Sequence, residues 1–230
     1  MIMPEDERRN TAYHEAGHAL VARLMPKTDP VHKVTVIPRG RALGVTMQLP
    51  VEDRYSYDRS FLLNNIAVMF GGRIAEELFM NQMTTGASND FKRATDMARR
   101  MVTEWGMSDK LGPMVYSENE GEVFLGRSVT QHQNISEETL KSVDAEVRRI
   151  IDEQYALARR LLDENRDKVE IMTKALLEWE TIDDKQIEDI MSGRPPRPPK
   201  PVPPPQPKPP TDGGNRGAEP SGSTTPVENP

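Results

Sequence analysis

His14-Glu15-Ala16-Gly17-His18 puts two imidazoles and a carboxylate inside five residues, in a stretch that reads as helix. Residues four apart on a helix project from the same face, so His14 and His18 can point at one metal ion. Glu15 is rotated about 100° from His14 and can reach a water on that ion, the place of a general base in metal-assisted hydrolysis. The chain has only four histidines, and two of them fall in this window. That concentration weighs against a pair of unrelated surface histidines.

Two ligands do not complete a catalytic zinc site, which normally has three protein donors and one water. The sequence contains no cysteine, so every donor must be His or a carboxylate, and disulfides and thiolate catalysis are excluded. The metzincin extension requires glycine and histidine where Val21 and Leu24 stand. Of the remaining histidines, His32 lies beside a strand-like run and His132 in a polar loop, and both read as solvent-facing. Asp90 opens a helix, a place where an acidic residue is also favoured by the macrodipole and by capping. Glu76 and Glu77 lie on the preceding helix. On spacing, Asp90 leads, then Glu76, then Glu77, and the choice among them stays open.

The elements that must position these groups read as mainly α with a small β-sheet or hairpin. Apolar periodicity and breakers predict a helix over 7–25, ended by Pro26, and strands within 33–49, split by Pro38-Arg39-Gly40. Helices follow over 58–79, interrupted by Gly71-Gly72, and over 89–105. The segment 106–134 reads as a long loop. Leu140, Val143, Val147, Ile150, Gln154, Leu157 and Leu161 recur at steps of three and four, and Val169, Met172, Leu176 and Trp179 continue the pattern. They predict a helical hairpin over 136–180 whose seam packs within the chain, with a subunit-pairing coiled coil as the lesser reading. A short helix over 183–191 completes a domain of residues 1–193.

Fourteen of the 20 prolines fall in residues 194–230, which predicts a disordered, polyproline-like tail. Its Pro-x-x-Pro segments could dock an SH3-like partner, but a solvated extension is the simpler expectation. The net charge is −6, and the tail carries five basic and three acidic residues, leaving the front part at −8. Without a clustered basic stripe, no nucleic-acid partner is expected. No apolar run approaches the roughly 20 residues of a membrane span, and acidic residues at the N-terminus do not form a signal peptide. The chain reads as soluble, with no membrane insertion of its own.

Four separated motifs carry a resemblance: Ala12-Tyr13-His14-Glu15-Ala16-Gly17-His18-Ala19, Phe70-Gly71-Gly72-Arg73-Ile74-Ala75-Glu76-Glu77, Thr85-Gly86-Ala87-Ser88-Asn89-Asp90-Phe91 with Ala94-Thr95, and Trp105-Gly106-Met107-Ser108. In this order they resemble the peptidase domain of FtsH, the membrane-anchored AAA+ zinc protease, from about Pro4 to Met191. The resemblance implies one zinc per chain held by His14, His18 and Asp90, with Glu15 as general base and Glu76 supporting a zinc histidine from outside. It implies protein or peptide substrates, unfolded or tagged, a homohexamer, and a bacterial inner-membrane protein with this domain on the cytoplasmic side. Nothing here matches Gly-x-x-x-x-Gly-Lys-Ser/Thr, so ATP is expected only for an ATPase module, and the chain looks like the C-terminal part of a longer protease. A competing expectation is an oligomerisation module with a structural zinc, closed by a fourth protein ligand. If the chain is a protease, the edge of the small sheet near Gly44-Val45-Thr46 is the expected place for an extended substrate.

Overall fold

A computed structural model describes residues 3–38, 40, 42–116 and 135–200. Helix α1 (Glu5–Leu24) begins after Pro4 with Glu5, Asp6 and Glu7 in its first turn, where negative charge meets the positive end of the helix dipole. Two short strands follow, β1 (Val31–Thr35) and β2 (Val45–Gln48). Helix α2 (Arg59–Ala75) starts at Asp58, whose carboxylate accepts from the Phe61 amide at 2.9 Å. The same rod continues as one widened π-helical turn, Glu76–Met80, and stops at Asn81 in the left-handed region. A 3-10 turn, Thr85–Ala87, leads into α3 (Ser88–Thr103). Beyond residues 117–134, α4 (Glu137–Glu164) and α5 (Arg166–Trp179) follow, then β3 (Thr181–Asp183) and α6 (Asp184–Met191).

The centre of the fold is the contact of α1 with α2. Glycine makes it possible. A Cβ on Gly17 would collide with the Gly71 carbonyl, and one on Gly71 would stand 2.6 Å from the Gly17 carbonyl oxygen, so the two backbones touch with no side chain between them. Small residues Ala12, Ala16 and Ala19 and the large buried Leu20, Ile66, Phe70 and Ile74 fill the space around this crossing. The three strands form an antiparallel sheet in the order β2-β1-β3, with Val34 opposite Thr46 on one side and Ile182 on the other. The sheet lies against α1, and β2 forms one edge.

The mainly α architecture with a small sheet is as expected, but four details differ. The sheet has a third strand, β3, whose three residues are too few to show alternation. β1 starts at Val31, ahead of the expected 33–49 span, and β2 covers only Val45–Gln48 of it. The expected hairpin over 136–180 is two helices broken at Asn165 that make little contact with each other: α4 packs on α2 and α3, and α5 packs on α1. The periodic face of α4 is therefore occupied within the chain, by α2 rather than by α5, and Val143, Val147 and Ile150 are buried there. Residues 194–200, assigned to the tail, include an ordered anchor. The buried carboxylate of Asp189 accepts from Arg197 Nε at 2.7 Å and Arg194 Nη2 at 3.1 Å, and Gln186 donates to the Arg197 carbonyl. Residues 117–134, with His132, and the Pro-x-x-Pro stretches beyond Lys200 lie outside the described residues. Among the described residues no helix is long and apolar enough to cross a membrane.

Candidate metal centre

Both imidazoles of α1 are fixed through Nδ1. His14 Nδ1 lies 2.8 Å from Glu76 Oε1, and His18 Nδ1 lies 2.8 Å from the Val68 carbonyl oxygen. A carboxylate and a carbonyl only accept, so each ring donates from Nδ1 and, when neutral, turns the lone pair of Nε2 to the other side. The two Nε2 atoms face each other at 3.0 Å, and Asp90 Oδ2 is 3.4 Å from each. Among the described residues these three donors form the one group of His and carboxylate side chains whose ligand atoms all lie within 4.8 Å of one another. Three electron-rich atoms gathered in this way fit a cation, and two neutral imidazoles with one carboxylate suit zinc.

The electrostatics say the same. Burial disfavours charge on His14, but the Asp90 and Glu76 carboxylates outweigh it and its pKa is pushed up to about 9. Burial would raise Asp90, yet the two imidazoles hold its carboxyl well below the usual carboxylate range. Glu76 is likewise held low against its burial, first by His14 and then by Thr84, which donates its amide at 3.0 Å and its hydroxyl at 3.1 Å. The site favours positive charge at its centre.

Three segments distant in sequence deliver these groups. Asp90 sits in the first turn of α3, whose N-terminus has no side-chain cap; its carboxylate is turned to the imidazoles. Glu76 and Glu77 part company in the π-helical turn. Glu76, 1% exposed in its side chain, faces His14, whereas Glu77 accepts from Tyr155 at 2.7 Å and Arg159 at 2.9 Å on α4. His32 is exposed on β1, away from the cluster. The sequence placed Glu15 beside the pair, and it is buried at 7% exposure on the wall of a cleft of about 1170 Å³ bounded by α1, β2 and the start of α3.

Three contributors were not singled out from sequence for what they do here. Thr46 Oγ1 donates to Glu15 Oε2 at 2.6 Å. Gly44 approaches the same carboxylate so closely that a Cβ would stand 2.8 Å from Glu15 Oε1. Gly72, read from sequence only as an interruption of the helix, packs against the two imidazoles: a Cβ there would lie 2.5 Å from His14 Nε2 and 2.6 Å from His18 Nε2. The glycines were visible, but their partners come from other elements.

The family model described as Peptidase family M41 matches residues 1–190. The chain belongs to peptidase family M41. It is 60% identical over 222 residues, 96% of its own length and 33% of the relative's, to the ATP-dependent zinc metalloprotease FtsH of Cupriavidus metallidurans. To proteins of the same description from Magnetococcus marinus and Photobacterium profundum it is 56% and 54% identical over 194 residues, 84% of this chain and 29% and 28% of theirs. The M41 chain thus spans about a third of the length of the curated relatives it matches, and it carries a metallopeptidase domain.

Proposed function

We propose that this chain is the zinc-dependent endopeptidase part of a longer, ATP-dependent, membrane-anchored protease. The observation that carries the reading is the convergence of His14 Nε2, His18 Nε2 and Asp90 Oδ2 next to the buried carboxylate of Glu15 in an open cleft. His14, His18 and Asp90 would hold one zinc, which when bound lowers the pKa of a water to about 7 and polarises a carbonyl. Glu15 takes a proton from the attacking water and passes it to the leaving amine, serving in both directions. Glu76 keeps the His14 ring in the tautomer and orientation that present Nε2 to the ion, as outer partners of metal histidines do. The outer edge of β2, unpaired among the described residues, runs along the cleft, so an extended peptide can add to it as a further strand.

The relatives' description, ATP-dependent zinc metalloprotease, supports ATP-dependent proteolysis; we extend this to unfolded or tagged protein substrates delivered by an ATPase module, six copies in a ring, and a bacterial inner-membrane protein with this domain on the cytoplasmic side, as the motif resemblance implies. A structural zinc in an oligomerisation module is disfavoured by the donor set, which among the described residues offers three protein ligands and a neighbouring base instead of four ligands. Glu15→Gln separates the two readings. It should retain zinc and assembly while proteolysis of an unfolded substrate is abolished; cleavage at the original rate would remove Glu15 as the base.

A further inference from the structure

We propose that Thr46, on the edge strand, is a positioning residue for the general base, and that Gly44 clears the space in which that base is held. The inference rests on the peptidase reading above, with Glu15 as the base. Glu15 projects from α1 into the cleft wall, and the side chain that reaches its carboxylate is not on α1. It comes from β2: Thr46 Oγ1 lies 2.6 Å from Glu15 Oε2, and 3.2 Å from the Glu15 carbonyl oxygen. A hydroxyl has one proton, and the shorter contact with a charged acceptor takes it. Two residues earlier on the same segment, Gly44 packs against the other side of the carboxylate, where a Cβ would stand 2.7 Å from Glu15 Cγ and 2.8 Å from Oε1. Gly44 is not in the left-handed region, so backbone conformation does not demand glycine there. What demands it is the room occupied by Glu15 and, beside it, by the Thr11 methyl, which a Cβ would meet at 2.9 Å.

The carboxylate is therefore held by a hydrogen bond on one oxygen and by a close backbone on the other. This fixes the distance between base and metal cluster, since Thr46 is itself pinned to Val34 of β1 through the sheet register. A free glutamate has three side-chain torsions and would spend most of its time out of reach of the reacting water. Holding it in place removes that entropy before the reaction begins, and misplacement by about 1 Å can cost on the order of 100-fold in rate. The same strand that offers its outer edge to a peptide thus sets the base on its inner face.

The test compares Thr46→Val, which keeps shape and removes the donor, with Thr46→Ser, which keeps the donor, and with Gly44→Ala, which intrudes on the carboxylate. Each is made in the zinc-loaded 230-residue chain, and cleavage of a short fluorogenic peptide is followed across KM. The expected result for Thr46→Val and Gly44→Ala is a fall in kcat of about 10- to 100-fold with KM and zinc content unchanged, and near wild-type kcat for Thr46→Ser. A rise in KM with kcat preserved would show that Thr46 serves only the substrate edge and would overturn the proposal. A readout independent of turnover comes from crystal structures of the metal-free wild type and Thr46→Val chains. The Glu15 carboxylate should occupy one position in the first and leave it in the second; an unmoved carboxylate refutes the positioning role. Glu15→Gln run in parallel tells the two readings apart. If it remains active, the base assignment falls and this proposal with it, whereas an inactive Glu15→Gln beside a fully active Thr46→Val refutes the positioning role alone.

Discussion

Replacing Gly72 with alanine is the sharpest probe of the metal centre, because local propensity and site geometry push in opposite directions. Gly72 lies in the interior of α2, where alanine is favoured over glycine by about 1 kcal/mol. The new methyl would stand 2.5 Å from Cε1 and Nε2 of His14 and 2.6 Å from Nε2 of His18. Carbon in van der Waals contact sits at about 3.5 Å, so the rings must retreat by about 1 Å. Zinc–nitrogen bonds are about 2.0–2.1 Å, and working sites hold their distances to about 0.2 Å. A retreat of that size prevents both imidazoles from binding one ion. Loss of one imidazole donor should weaken zinc by at least about 100-fold, or about 2.7 kcal/mol. The metal-free chain should stay folded, with helix propensity offsetting strained His14–Glu76 and His18–Val68 hydrogen bonds. Competition with a chromophoric chelator gives the affinity, and thermal unfolding in EDTA gives the stability. Zinc affinity within threefold of wild type would refute the placement of the site against α2. A chain unfolded in EDTA would show that the methyl damages the α1–α2 contact instead.

Asp90→Asn should weaken zinc more than Glu76→Gln does, since the first removes a charged donor and the second only the partner of His14, an effect of about 10- to 100-fold; chelator titration of both gives the order. Zinc binding must displace a proton from His14, whose pKa is pushed up from 6.5 to about 9, so affinity should climb about tenfold per pH unit between those values, and a flat profile would contradict it. In the metal-free chain the raised His14 contributes stability that is complete below about pH 6.5 and lost as pH rises through 9, while the lowered Asp90 and Glu76 contribute stability that is lost as pH falls below about 4; Tm in EDTA should therefore peak between pH 4 and 6.5. Truncation after Lys200 should leave Tm unchanged, whereas truncation after Gly193 should lower it, because the buried Asp189 carboxylate loses both arginines.

The helix that carries His14 and His18 was legible because its information is local: spacing of four puts two histidines on one face, and nothing distant is needed. Asp90 was only a favoured choice on spacing, since an acidic residue in a first helical turn has a local explanation, and the resemblance of the surrounding motif tipped the choice. Spacing ranked Glu76 ahead of Glu77 but could not name their partners, because the turn that carries them is π-helical and directs one toward His14 and the other toward Tyr155. Thr46 and Gly44 read as part of a sheet edge that could take an extended substrate, not as partners of Glu15. Their meaning depends on a sheet packed against α1, and register across 30 residues of intervening chain is not written in periodicity. The α4 pattern gave the buried face but not its partner, for an apolar stripe does not say which neighbour covers it.

The backbone contact between Gly17 and Gly71 also acts as a pivot. With no compressible side-chain layer at that point, rocking of α1 against α2 must turn about it. Helices rise about 1.5 Å per residue, so a 10° rock would carry the α1 terminus at Glu5 about 3 Å, but the His18 backbone, one residue from the fulcrum, only about 0.3 Å. His14, three residues away, would move about 0.8 Å. Gly72 is likewise next to the fulcrum on the other helix. The two histidines are thus unequally mounted: a rock that widens the cleft near Asp6 and Glu7, where the arm is longest, leaves His18 almost in place but shifts His14 beyond the about 0.2 Å that a working metal site holds, so the contact limits how far α1 can turn with both imidazoles on one ion.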